Sequence, residues 1–389
     1  VKPLAITGLG VVSPFGVGVE ALRDGLAGAQ HAPFGDTDAS TPVDLAPYSA
    51  AQVAAVRGFD PTAWLGPTGL RNNDRLTKLQ LVAARMALAH AKIKSEGLWQ
   101  RLAPDDVGVV GATAYGSLEA IHELNVVART EDPRYLNPAR FPNTVINSSV
   151  GYVSIWDELR ALNATVVNGP PGALDAVATA AMYLAARRAK VLLGGGGEAL
   201  SELLLLGLQR SGAFASGALR VGEGAAFVAL EAPAEARAAG IPELARVIGY
   251  GTAFDPGEPD ERGCAPSARA LERASIAALR DACVAPAEVD VVVTGLGGLP
   301  SCDMAERRAL RSVFGPSQCM AAPKRLYGET FGASGALALA SALTWLANSP
   351  VSAIVQGVAP SRVRTCVVTA LGYHGNASAL VLRGPREEP

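Results

Sequence analysis

The sequence predicts an α/β fold whose sheets are covered by helices on both faces. Short runs of β-branched and aliphatic residues recur along the chain, and Ala-rich stretches at helical spacing lie between them. The composition suits a chain with much interior, since 49% of its 389 residues are hydrophobic and 18% are charged. In order, "LAITGLG", "VGVVGAT", "KVLLGGGG" and "AFVALEA" read as buried strands of a first half. "VDVVVTGLGG", "AIVQGVA", "TCVVTALG" and "ASALVLRG" read as those of a second. Helices are expected over residues 75–94, 117–129, 174–189, 265–282, 303–314 and 334–348. The pattern changes near "EARAAGIPELARVIGYGTAF", which divides the chain into two similar halves, 1–245 and 246–389. The turn-rich "HAPFGDTDASTPVDLAPYSAAQ" reads as a surface excursion.

Charge and cysteine usage exclude several classes. A formal net charge of −2 leaves no electrostatic footprint for nucleic acid or an anionic membrane. Arg187-Arg188 and Arg307-Arg308 are short pairs and read as solvated helix faces. No apolar stretch of about 18 residues is free of charges and glycines, so no membrane span is expected. The apolar opening lacks a basic lead and is broken by Gly and Pro, so it reads as strand and loop rather than a signal peptide. Cys264, Cys283, Cys302, Cys319 and Cys366 form no CxxC. None stands at metal-ligand spacing from His31, His90, His122 or His374. Free thiols in a reducing, cytoplasmic setting and no metal are the expectation.

One stretch raises a question of chemistry. "VVNGPPGALDAV", residues 166–177, reads as the lead-in to a buried helix, with Pro170 and Pro171 at the turn. Proline suits the first turn of a helix, because its fixed φ is already helical and its missing N–H would be unsatisfied there anyway.

Seven blocks, in order, resemble the β-ketoacyl synthase family of the thiolase fold over nearly the whole chain. They are "VKPLAITGLGVVSPFG", "NSSVGYVSI", "LLGGGGEAL", "GEGAAFVALE", "PSCDMAE", "KRLYGETFGASGA" and "LGYHGNASALVL". The resemblance implies two similar halves with mixed sheets stacked in αβαβα layers. It also implies a decarboxylative condensation run by a cysteine at a strand-to-helix turn and two histidines. The cysteine position falls on Pro170, both from the spacing to Glu198 and from the local match of "PPGALDAV". A proline there supplies neither a thiol nor the backbone N–H that the family uses for the oxyanion. The histidine positions fall on Gly295 and Glu329, while Lys324 matches the family lysine. Tyr373-His374 stands where the family has Phe-Gly, which implies a His374 near the pocket that packs against it or blocks it.

A fold kept while its nucleophile is lost resembles the chain-length factor, or ketosynthase β-subunit, of type II polyketide synthases. That resemblance implies no catalytic residue, no cofactor, and a heterodimer with a Cys-bearing ketosynthase. The acyl carrier protein would then be met only indirectly. It implies tunnel residues Leu118, Ile121 and Asn125, whose spacing puts them on one helix face. It further implies interface or pocket residues Thr144, Ile146 and Ser149, with Tyr373 and His374. Chain-length factors usually carry Gln at the cysteine position, and Pro170 departs from that. Three other classes stay open: an enzyme with altered acyl-transfer or decarboxylase chemistry on Glu329, Lys324 or His374, a carrier-protein-binding scaffold homodimer, and, against the lost Cys–His–His set, an active condensing enzyme.

Overall fold

The computed structural model describes residues 2–28, 32, 34–35, 41–48 and 51–385. His31 and much of the turn-rich 31–52 stretch lie outside the described residues. The principal strands of the first half are β1 (Leu4–Ser13), β2 (Val107–Ala112), β3 (Asn163–Val166), β4 (Val191–Glu198) and β5 (Gly224–Glu231). Those of the second are β6 (Ala245–Phe254), β7 (Val291–Val293), β8 (Met320–Ala321), β9 (Ile354–Gln356), β10 (Thr365–Leu371) and β11 (Asn376–Arg383).

The first five strands lie in the order β3-β2-β4-β5-β1, and the second set in the order β9-β8-β7-β10-β11-β6. With the edge strand β9 set aside, both halves read third, second, fourth, fifth, first. The directions repeat as well. In each half the first two of these pairings are parallel and the last two antiparallel. The duplication expected from the strand alternation is therefore visible in topology.

The two sheets are also joined. Leu4, Ala5 and Ile6 of β1 pair antiparallel with Val247, Arg246 and Ala245 of β6, so one hydrogen-bonded path runs from β3 to β9. Nothing in the chain's pattern marks this junction, because the expected dividing segment itself contains "ARVIGYGTAF", a ten-residue strand whose partner lies far away in the chain.

Seven principal helices complete the layers: α1 (Arg75–His90), α2 (Leu118–Thr130), α3 (Ser148–Asp157), α4 (Gly172–Ala185), α5 (Ala268–Ala282), α6 (Pro300–Phe314) and α7 (Ser334–Leu346). The helices α4 and α7 pack on each other and on strands of both sheets, which makes them the middle layer. Every residue of α7 is buried, as "SGALALASALTWL" requires, since a helix apolar on all sides has no face for water. On the outer faces, α1 covers β1, β5 and β4 with α3 beside it, and α5 covers β6 and β11 with α6 beside it. The helix ends differ from the sequence reading by a few residues, as fraying ends do.

Candidate functional site

The site lies where α4 and α7 begin, in the layer between the sheets. Gly169, at φ +60, turns the chain, and the Gly172 N–H donates to the Gly169 carbonyl. Helix α4 starts at Gly172, with Pro171 in the capping position. Pro170 therefore sits in the turn ahead of the helix and not in its first helical turn. It is buried, and its carbonyl lies so close to Gly335 that a Cβ there would sit 3.2 Å from it. Asn168, just upstream, accepts two hydrogen bonds from the Asn376 amide, at 2.9 and 2.8 Å, which ties this turn to β11 of the other half.

Glu329 enters from the turn before α7. Its backbone is pinned to the strand Arg220–Gly222: its N–H donates to the Arg220 carbonyl at 2.7 Å, and Gly222 N–H donates to its own carbonyl at 2.8 Å. Gly328 makes that approach possible, because it has φ +90 and a Cβ there would lie 2.8 Å from the Gly222 nitrogen. The Glu329 side chain is 3% exposed and fully engaged. Oε2 accepts from the Lys324 ammonium at 2.7 Å, while Oε1 accepts from Phe331 N–H at 2.7 Å and from the Ser334 hydroxyl at 2.5 Å. Burial works against the Lys324 charge, but Glu329 at contact distance, with Glu306 and Asp303 behind it, outweighs burial and raises the lysine pKa. Phe331 itself has φ +46, a costly conformation for a bulky L-residue, and its N–H bond to Glu329 helps hold it there.

The loop after β7 completes this side. Gly295 N–H donates to Glu306 at 2.7 Å, and Gly297 N–H donates to Asp303 at 3.0 Å. A side chain at Gly297 would press on Lys324, its Cβ 2.6 Å from Cδ. Burial raises the Glu306 carboxyl to about 7. Glu198, at the end of β4, is likewise raised by burial to about 7, even though it accepts from Ala114 N–H at 2.6 Å, the Thr113 hydroxyl at 3.0 Å and Gly332 N–H at 3.3 Å.

Aromatic rings occupy the space in front of these groups. Tyr115 packs edge-on to Phe331 with ring centroids 5.5 Å apart. Tyr373 joins the same apolar cluster. Its ring is half-buried, and its hydroxyl is buried without a partner among the described residues. Burial and the nearby Glu329 charge raise the Tyr373 hydroxyl well above the usual tyrosine value. Cys302, on the first turn of α6, also feels Glu329. Burial first, then the neighbouring Cys264 and Glu329, push its thiol up to about 12. A thiol so placed is a poor nucleophile at neutral pH.

The structure thus brings Pro170, Gly295, Lys324 and Glu329 to one region. It adds Tyr115, Phe331, Cys264 and Cys302, which the sequence reading left out because only tertiary packing gathers them. His374 goes elsewhere. It is exposed in this chain, on a turn closed by Gly375 at φ +87. The three residues on α2 part company. Leu118 packs toward the Tyr115–Phe331–Tyr373 cluster, while Ile121 and Asn125 line an open groove that Thr144 also lines. Ile146 is 40% exposed, and Ser149 is buried. Among the described residues no group of three or more His, Cys, Asp or Glu could hold a metal, and no helix is long and apolar enough to cross a membrane.

Comparison with known proteins agrees with this geometry. The β-ketoacyl synthase N-terminal domain matches residues 1–236, and the C-terminal domain of the same family matches residues 244–356. The tetracenomycin polyketide synthase ketoacyl synthase beta subunit of Streptomyces glaucescens is 31% identical over 98% of each chain. The 3-oxoacyl-(acyl-carrier-protein) synthase 2 of Rhizobium meliloti is 29% identical over 98% of this chain and 99% of its own. Among solved structures, the ishigamide ketosynthase/chain length factor superposes with a TM-score of 0.85 at 22% identity, over 99% of this chain and 100% of that one. With both halves matched and the thiolase-like layers in place, this chain belongs to the β-ketoacyl synthase family.

Proposed function

We propose that this chain is the chain-length factor of a type II polyketide synthase, a cytoplasmic subunit without condensing activity of its own. It pairs with a Cys-bearing ketosynthase, and its Leu118, Ile121 and Asn125 help to close the tunnel in which the partner's chain grows. Thr144 and the exposed Ile146 belong to the pairing face, with Ser149 buried behind them, and the two halves divide near residue 245. The acyl groups arrive at the partner on a carrier protein, so this subunit needs no cofactor.

The observation that carries this reading is the set of groups around the α4 turn. Pro170 offers no nucleophile, and no imidazole stands at Gly295 or Glu329. Glu329 is held in place by three hydrogen bonds, from Lys324, Phe331 and Ser334, as a structural ion pair is. The pairing role is supported by the outer edge of β3, which among the described residues pairs with β2 alone and has exposed Ile155, Val167 and Met182 on the elements beside it.

Co-expression with a Cys-bearing ketosynthase from the same source tests the reading, followed by size-exclusion chromatography and intact mass after loading with malonyl-carrier protein. The expected result is a 1:1 complex with acyl mass on the partner alone, and no product when this chain is omitted. A stable homodimer that gains acyl mass or releases product alone would sink it.

A further inference from the structure

The following inference rests on the tunnel reading above and concerns the kind of chain the tunnel accepts. The 3-10 turn Pro138–Thr144 leans against α2, and a cavity of about 590 Å³ lies between them, within the usual size of small-ligand sites. One wall is Ile121, Leu124, Asn125 and Ala128, spaced as a single helix face, and Leu136 and Phe141 lie across from it. The Glu123–Arg140 ion pair, 2.8 Å, holds the two walls together. One turn earlier on α2, Leu118 packs with Tyr115, Phe331 and Tyr373, so an apolar stripe runs along the helix from the degenerate site to the groove.

Chemically the lining is poor in hydrogen-bond donors. No charged side chain and no histidine lines it. The Thr144 hydroxyl already donates to the Phe141 carbonyl at 2.8 Å, and the Asn137 side-chain oxygen is occupied by Ala139 N–H at 3.0 Å. The amides of Asn125 and Asn137 remain as side-chain donors.

We propose that this wall accommodates a reduced acyl chain, alkyl or polyene, rather than a poly-β-ketone. An unreduced chain carries a carbonyl on every second carbon, and each one that leaves water needs a donor to replace it. Two amides serve few of them. A hydrocarbon segment needs none, and its burial against Ile121, Leu124 and Phe141 is favourable in itself. Reduction must then take place between extensions, on a carrier protein: a ketoreductase with a reduced nicotinamide as hydride donor turns the β-ketone into an alcohol, a dehydratase releases water to leave the polyene, and a further enoyl reduction from the same class of donor leaves the alkyl chain.

The test uses the purified complex with the ketosynthase. Hexanoyl, hexadienoyl and dioxohexanoyl carrier proteins are offered in parallel, and extension is followed by intact mass. The reduced chains are expected to extend at least about 10-fold faster, a difference of about 1.4 kcal/mol in barrier. Leu124→Trp and Ala128→Trp are each expected to shorten the longest product by one or more two-carbon units. Equal or faster extension of the dioxo chain would overturn the proposal, as would unchanged product lengths in both variants. Chromatography before substrate is added separates the two readings. If no 1:1 complex forms, the subunit assignment itself falls and this inference falls with it. If the complex forms and the dioxo chain is preferred, only the reduced-chain proposal fails.

Discussion

The turns that open α4 and α7 occupy matching places in the two halves, yet they are built in opposite ways. The first is stripped of side-chain chemistry. Its residues are Gly169, Pro170, Pro171 and Gly172, and its order comes from ring geometry, from backbone hydrogen bonds to the Gly169 and Pro171 carbonyls, and from the Asn376 amide on Asn168 just upstream. The second keeps a charged pair, Lys324 and Glu329, under near-complete burial, and uses it to fix an aromatic residue at φ +46. On the reading proposed above, the difference amounts to two ways for a reactive centre to fall silent. One removes the polar group, after which nothing is left to satisfy. The other exchanges it for a group of opposite sign to a neighbour, after which each partner depends on the other.

The sharpest way to break that comparison is Lys324→Met. It strands the Glu329 carboxylate without its cation, and a loss of about 3–5 kcal/mol is expected in urea unfolding. The double variant Lys324→Met with Glu329→Gln should recover much of that loss, since the neutral amide needs no counter-charge and still accepts from Phe331. A double variant as unstable as the single would mean that packing of the lysine stem, not charge, is what the second turn requires.

A medium-sized effect follows from Glu306 and Glu198, whose carboxyls are raised by burial from 4.5 to about 7. Between those values the native state holds more protons than the unfolded state, so these groups lower stability as pH rises from about 4.5 to 7 and add no further change above that. Glu306→Gln removes the Glu306 share of the dependence and leaves that of Glu198. Relative to the parent it should gain about 1–3 kcal/mol between pH 5 and pH 8. A parent and variant that run parallel across that range would refute the raised carboxyl.

The smallest effect belongs to the first turn. Pro170→Ala should change stability by less than about 1 kcal/mol, mainly by loosening the unfolded chain. A loss comparable to that of Lys324→Met would show that the two turns are not built differently after all.

Much of the fold was legible in the sequence because its strands are short apolar runs between Ala-rich helices. Three principal strands lie outside that pattern, and they explain the limits. β8, Met320–Ala321, is two residues long and too short to carry a period. β3, "NATV", is four residues long and only half-buried, so it carries little hydrophobic signal. β6, "ARVIGYGTAF", reaches from the core to the surface and joins the sheets, and its pairing with β1 depends on residues some 240 positions away. At the site, the spacing from Glu198 and the match after Lys324 led to Pro170 and Glu329, and both lie where α4 and α7 begin. Position along the chain said nothing of the Tyr115–Phe331 plug or of Cys302 beside Glu329, since those neighbours meet only after folding. His374 is exposed on the Gly375 turn, one residue after a half-buried tyrosine, and chain position alone did not set the two apart.

The open edge of β3 has a practical consequence for handling the protein. A strand with free backbone groups, bordered by Ile155, Val167 and Met182 at 72%, 49% and 69% exposure, is a template for any other extended segment in solution. Purified by itself, the chain should therefore behave as a sticky colloid. Light scattering should grow with concentration, salt should do little to suppress it, and yields should depend on what is made beside it in the same cell.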